Sequence, residues 1–163
     1  MSSIDELLVR AAGRDRAATE DDTPAPPALA VAVVTCMDAR IRVPELFGLA
    51  HGEAHVLRNA GGIVTDDVIR SLALSQRKLG TREVMVVGHT ECGVSTVTED
   101  GFRDELEADT GLRPSWAVEA FRDAEDGVRR SVTRVRRSPY LPHTDGVRGF
   151  VLDIRTRELR EVA

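Results

Sequence analysis

The 163-residue sequence predicts an α/β domain built on a mostly parallel sheet. Two observations predict it. Short apolar runs alternate with stretches of helical periodicity along the chain. Two of those runs, Leu29–Thr35 and Val84–Gly88, also stop at chemically loaded words, T-C-M-D-A-R and G-H-T-E-C-G. A parallel sheet gathers its ligands at the carboxyl ends of its strands, which is where these words fall. The length suits one domain over 1–163, with 1–28 as an N-terminal helix and linker arm.

Each element has a local cause. Ser2 or Ser3 caps a short helix through Ala12, with Ile4, Leu7 and Leu8 on one face. Gly13–Pro27 is polar, acidic and proline-rich, and reads as a connector. Leu29–Thr35 is the first strand. Val43–Leu49 is a short helix with Pro44 in its first turn, where proline is tolerated. Ala54–Arg58 is the second strand, and Asn59-Ala60-Gly61-Gly62 is a tight loop that brings backbone close to a neighbour. Thr65 caps a helix that runs to Leu79 and stops at Gly80, with Asp66 and Asp67 in the first turn. Its apolar face, Val68, Ile69 and Leu72, is larger than a small sheet needs and points to a dimer. Glu83–Gly88 is the third strand.

Thr98–Pro114 is acidic, contains Gly101 and Gly111, and reads as a mobile excursion. Ser115 is expected to cap a long helix with the core stripe Val118, Phe121, Val128, Val132 and Val135, ended by Ser138-Pro139. Val147–Ile154 and Glu158–Val162 read as a last strand and a tail, paired as a hairpin around Arg155-Thr156.

Composition narrows the function. The formal net charge of −5 argues against a nucleic-acid surface. Arg129, Arg130, Arg134, Arg136 and Arg137 form a basic cluster that reads as a solvated helix face balanced by nearby acids. The longest apolar run, Ala28–Val34, is too short to span a membrane. Met1–Arg10 carries Asp5 and Glu6 and lacks a basic start followed by an apolar stretch, so a cytoplasmic location is expected. A reducing compartment leaves the two cysteines as thiols.

Two thiols and one imidazole, Cys36, Cys92 and His89, are a ligand set that suits zinc. Cys36 and His89 each end a strand and so face one crevice. Cys92 falls just before the next element; if that element is a helix, its N-terminal dipole favours the thiolate. Three protein ligands leave a fourth position open, as catalytic zinc sites do. Asp38 and Arg40 stand beside the first ligand, and a structural site has no need of them. Asp38 would accept the hydrogen bond of a zinc-bound hydroxide and aim it at an electrophile; Arg40 would keep Asp38 ionised and oriented. That describes hydration of a small carbonyl-like molecule. Against it stand two plainer readings: ordinary buried thiols, and a structural zinc with Asp38 as fourth ligand. His51, His55 and His143 read as ordinary histidines, and Asp153 and Glu158 as routine strand-end charges.

These residues resemble the β-class carbonic anhydrases. The matching words are C-M-D-A-R, R-N-A-G-G at Arg58–Gly62, G-H-T-E-C-G at Gly88–Gly93, and the C-terminal V-R-G-F-V-L-D-I-R-T-R-E-L. The similarity spans roughly Leu29 to Leu159 and looks most like the compact prokaryotic branch. It implies zinc on Cys36, His89 and Cys92, with Asp38 and Arg40 as the catalytic dyad. Asn59, Ala60, Gly61, Gly62 and Gly93 are the candidate substrate pocket. It implies reversible hydration of carbon dioxide to bicarbonate and a proton, by a homodimer or homotetramer. The implied fold is a parallel four-stranded sheet with an added antiparallel edge strand and helices on both faces. Some relatives close their site through a bicarbonate pocket of Trp, Arg and Tyr. Val33 and Phe150-Val151-Leu152 replace its two aromatic positions while Arg58 keeps the third, so that pocket is expected to be absent. Two rival functions remain: hydrolysis of carbon disulfide or carbonyl sulfide on the same fold, and a non-catalytic zinc-stabilised assembly protein.

Overall fold

The computed structural model describes residues 2–13 and 22–163, so most of the expected connector, 14–21, lies outside the described residues. Five strands form one sheet: β1 (Val31–Cys36), β2 (Ala54–Asn59), β3 (Glu83–His89), β4 (Val147–Leu152) and β5 (Leu159–Glu161). Their order is β2-β1-β3-β4-β5. The first four run parallel, and β5 turns back antiparallel on β4. The sheet is therefore the one the resemblance implied.

Helices cover both faces. Helix α3 (Asp66–Leu79) starts at Thr65, whose side chain accepts from the Val68 N–H, and ends at Gly80 in the left-handed region, as expected. With α5 (Ala124–Arg136) it packs on the face formed by Ala32, Val34, Val84 and Val86. The short α2 (Val43–Phe47) covers the other face, over Val33, Val87 and Leu152. Val68, Ile69 and Leu72 are spent on the sheet and fully or nearly buried. Each such side chain contributes about 1.5–3 kcal/mol to the core. These three residues therefore offer no surplus face for a dimer.

Helix α1 (Ser3–Ala12) has a complete capping box at Ser2 and Asp5, yet buries none of its residues. The other departures lie between Thr98 and Asp123. The expected excursion is helix α4 (Glu99–Thr110). Thr98 caps it by accepting from the Gly101 N–H, Glu99 and Asp100 occupy its first turn, and Gly111 ends it in the left-handed region. Its glycines sit at the edges, where they cost little. The long helix, conversely, does not begin at Ser115 but at Ala124, capped by Asp123. The Glu99 carboxylate captures the N–H groups of Val118 (2.8 Å) and Glu119 (2.9 Å), and Glu119 takes φ +58°, which breaks any helix there. Phe121, Val128, Val132 and Val135 are still buried as expected.

Candidate metal centre

The site is built at the carboxyl ends of β1 and β3. Cys36 is the last residue of β1 and His89 the last of β3; the strands are neighbours, paired Thr35 with Val87. Cys92 follows one turn later, before a single 3₁₀ turn, Gly93–Thr96. That turn is too short for a helix dipole, so the expected dipole support for the Cys92 thiolate is replaced by one backbone N–H, that of Val94. All three side chains are buried.

The three ligand atoms lie within 4.8 Å of one another. The two sulfurs are 3.9 Å apart. Two thiolates about 2.3 Å from a tetrahedral zinc would sit about 3.8 Å apart, whereas a disulfide needs about 2.05 Å. His89 Nδ1 donates to its neighbour's carbonyl, Thr90 O, at 2.8 Å. That bond fixes the tautomer and leaves the Nε2 lone pair free, as metal-ligating histidines require. Nε2 is buried and has no hydrogen-bond partner. An orphaned buried nitrogen facing two thiols is costly without a cation and explained by one. The donor set and its spacing fit zinc.

Protons and a dication compete for the same three atoms. Cys36 is the more acidic thiol: Cys92 donates to it, and the N–H groups of Asp38 and Gly61 also favour its thiolate. Cys92 is pushed up, first by Cys36 beside it and then by burial. Burial works against a charged His89, but the Cys36 sulfur outweighs it and raises the imidazole.

Asp38 and Arg40 pair beside this centre. Arg40 Nε donates to Asp38 Oδ1 at 3.0 Å and Nη2 to Oδ2 at 2.7 Å, a two-pronged contact. The Arg40 backbone N–H adds a third bond, to Oδ1 at 2.9 Å. The guanidinium therefore holds the Asp38 carboxyl well below the usual carboxylate range. Asp38 Oδ2 is 3.9 Å from His89 Nε2, so the pair faces the ligand atoms without joining them.

The tight loop has a physical role beneath Cys36. Asn59 ties it shut, its side-chain amide donating to Ile63 O (2.8 Å) and its carbonyl accepting from the Ile63 N–H (3.0 Å). Gly62 has φ +65°, and a Cβ there would stand 2.7 Å from Cys36 N and 2.8 Å from Thr35 C. The backbone that Gly62 approaches is that of Cys36 and Thr35. Ala60 and Gly93 are exposed, and a Cβ on Gly93 would meet nothing. Arg58 donates from Nε to Cys36 O (2.9 Å) and from Nη2 to Asp38 O (2.6 Å), so it braces the same turn.

A cleft of about 320 Å³ opens at His89, Cys92, Ser95 and Phe121. A larger groove, about 780 Å³, runs along α3 past Ile69, Leu74 and Tyr140 and does not include Cys36, His89 or Cys92. Other candidates are engaged elsewhere. His55 bonds Ser75 Oγ at 2.7 Å. In the arginine cluster, Arg129 pairs with Glu125, Arg134 with Asp66 and Glu119, and Arg136 donates to Val147 O. That agrees with a balanced helix face. Two contacts on Arg40, those of Glu91 and Arg157, and the pairing of Arg155 with Glu91 are not legible in the sequence. They join residues up to 117 positions apart, which no local spacing can signal.

Comparison with known proteins agrees with this geometry. Residues 31–140 match the family model described as carbonic anhydrase. The chain is 50% identical over 139 residues to β-carbonic anhydrase 1 of Mycobacterium tuberculosis, covering 85% of each. It is 34% identical over 154 residues to a carbon disulfide hydrolase of Saccharolobus solfataricus, covering 79% of this chain and 75% of the other. A crystal structure of carbonic anhydrase from Streptococcus mutans superposes with a TM-score of 0.92 at 39% identity, over 100% of this chain and 99% of that one. Sheet order, ligand geometry and these similarities agree: the chain belongs to the β-class carbonic anhydrases.

Proposed function

We propose that this protein catalyses the reversible hydration of carbon dioxide to bicarbonate and a proton, with zinc held by Cys36, His89 and Cys92. The observation that carries the reading is the buried, partnerless His89 Nε2 facing two sulfurs 3.9 Å apart, with an Asp–Arg pair alongside. Zinc, when bound, supplies a Lewis acid that lowers the pKa of water toward neutrality. The chain's own residues do the rest. Asp38 accepts the hydrogen bond of the attacking water and turns its lone pair toward the carbon. Arg40 keeps Asp38 ionised and, by engaging both of its oxygens, keeps it from serving as a fourth ligand. A non-catalytic zinc-stabilised protein would have no use for this pair. In this reading Asn59, Ala60, Gly61, Gly62 and Gly93 lie where a small linear substrate is received.

Asp38→Ala separates the roles. Zinc content should stay at one per chain while the hydration rate, followed by stopped flow, falls about a hundredfold or more. Loss of zinc in this variant would make Asp38 a ligand instead. The higher identity to the carbonic anhydrase favours carbon dioxide over carbon disulfide. Faster hydrolysis of carbon disulfide or carbonyl sulfide than hydration of carbon dioxide, measured in parallel, would reverse that choice.

The active form in this reading is a homodimer or homotetramer. Helix α1 supports it: Ile4, Leu7, Leu8 and Val9 are 61–69% exposed. A ten-residue helix is marginal in water without a packed face. A stable, active monomer in sedimentation would remove this part. Among the described residues no helix is long and apolar enough to cross a membrane. Thiol ligands suit a reducing compartment, in keeping with a cytoplasmic location.

A further inference from the structure

Among the described residues, four non-glycine residues have positive φ: Ala30, Glu91, Glu119 and Arg157. Two of the four place their side chains on Arg40. Glu91, at φ +56°, sits inside the G-H-T-E-C-G word, between two metal-ligand positions. Its carbonyl accepts from Arg40 Nη2 at 3.1 Å, and its carboxylate Oε2 lies 3.7 Å from Arg40 Nη1, a charge contact. The other carboxylate oxygen takes Arg155 Nε at 2.5 Å. Arg157, at φ +68° in the β4–β5 turn, donates from Nη1 to Arg40 O at 3.1 Å. Arg40 is thus held from outside at its guanidinium and at its carbonyl, while its inner face holds Asp38.

Stability does not account for these choices. A left-handed backbone is costly for a residue with a Cβ and nearly free for glycine. The ion pairs gained in return are exposed, with side-chain exposures of 50% for Arg40, 43% for Glu91 and 79% for Arg155, and such pairs contribute little. The turn explains a left-handed residue at 157, but not an arginine reaching a carbonyl 117 positions away. Strain of this kind gathers where a site needs geometry more than stability.

We propose that Glu91 and Arg157 are positioning residues that lock Arg40, and through it Asp38, in register with the metal centre. The lock serves the carbon dioxide reaction proposed above and rests on that reading for its purpose. Its geometry can be tested without it.

The test uses the full zinc-loaded chain and the variants Glu91→Gly and Arg157→Gly. Glycine relieves the backbone at both positions, so the thermal midpoint should hold or rise. The Arg40 Nε–H signal in ¹⁵N NMR, ordered in the parent, should broaden or average in both variants. Zinc should stay at one per chain, and kcat/KM for hydration should fall about tenfold, as expected when a group that orients an active-site residue is lost. An Arg40 signal as ordered in both variants as in the parent overturns the proposal. So does loss of thermal stability in step with activity, which would mark a structural role. Recovery of the lost rate by added imidazole buffer also overturns it, because Glu91 would then be carrying protons. Loosened Arg40 in a chain whose parent hydrates no carbon dioxide would leave the lock standing and remove the function.

Discussion

The ends of β1 and β3 and the flank from Thr98 to Asp123 are held by different forces. At the strand ends Cys36, His89 and Cys92 are buried, and backbone groups orient them: Thr90 O for the imidazole, the N–H groups of Asp38 and Gly61 for one sulfur, that of Val94 for the other. In the flank, α4 buries nothing. It is held by side-chain contacts: Glu99 reaches Val118 and Glu119, 19 and 20 positions away, and Arg113 reaches back to Glu107 at 3.0 Å. The first region sits at the ends of two paired strands, where most of the orienting backbone groups lie within two residues of the side chain they serve. The second depends on pairings that exist only after folding. Damage at the strand ends should therefore remove chemistry, and damage in the flank should loosen the chain while leaving the metal in place.

The largest expected effect is at the first ligand. In Cys36→Ser a hydroxyl replaces a thiolate, and zinc affinity should fall by more than the about 10–100-fold seen when a group that merely supports a ligand is lost. Metal analysis after dialysis should find an empty protein with no hydration activity. Retention of one zinc per chain would show that the strand ends are not the metal site.

Gly62→Ala should come next. The added Cβ meets the backbone of Thr35 and Cys36, which has no flexible end to move, and φ +65° adds strain. A destabilisation of about 1–3 kcal/mol is expected from the overpacking, read from the denaturation midpoint, with weakened zinc retention. A variant as stable as the parent would mean that the loop does not brace the first ligand.

The smallest effect belongs to the flank and depends on pH. Hydrogen bonds from the N–H groups of Val118 and its neighbours hold the Glu99 carboxyl below its ordinary value. A carboxylate favoured by folding contributes stability above its unfolded pKa, about 4.3, and loses it as pH falls through the folded value. The Val118 and Glu119 amide signals should stay constant from neutral pH to about 4.3 and move only below it. Glu99→Ala should abolish that step and loosen residues 115–123 without releasing zinc. Zinc loss from Glu99→Ala at neutral pH would erase the distinction between the two regions.

The same contrast sets what the sequence discloses. β1, β3 and α3 were legible because an apolar run ended by a functional word, or a cap–stripe–glycine pattern, has one local solution. Thr65, Leu79 and Gly80 fell where expected. Cys36, His89 and Cys92, drawn from two short words, come together as a potential metal site, and Arg40 pairs with Asp38 beside them. α4 stands where an excursion is expected because glycine and acid density signal a loop only when they interrupt a helix. Here Gly101 lies in the first turn and Gly111 past the last. α5 starts at Ala124 and not at Ser115 because the Glu99 carboxylate, 19 positions before Val118, takes the N–H groups that a helix would have used. The contacts of Glu91 and Arg157 with Arg40 are illegible for the same reason: only the fold supplies them.

The central claim is that zinc on Cys36, His89 and Cys92 carries the hydration of carbon dioxide. It is tested most directly by the stopped-flow hydration rate of one preparation measured three times: as purified, after removal of metal with a strong chelator, and after one equivalent of zinc is restored. The account predicts activity with one zinc per chain, loss to the uncatalysed rate on chelation, and recovery on restoration. Hydration that survives complete removal of zinc, or a fully zinc-loaded chain that does not hydrate carbon dioxide, would contradict it.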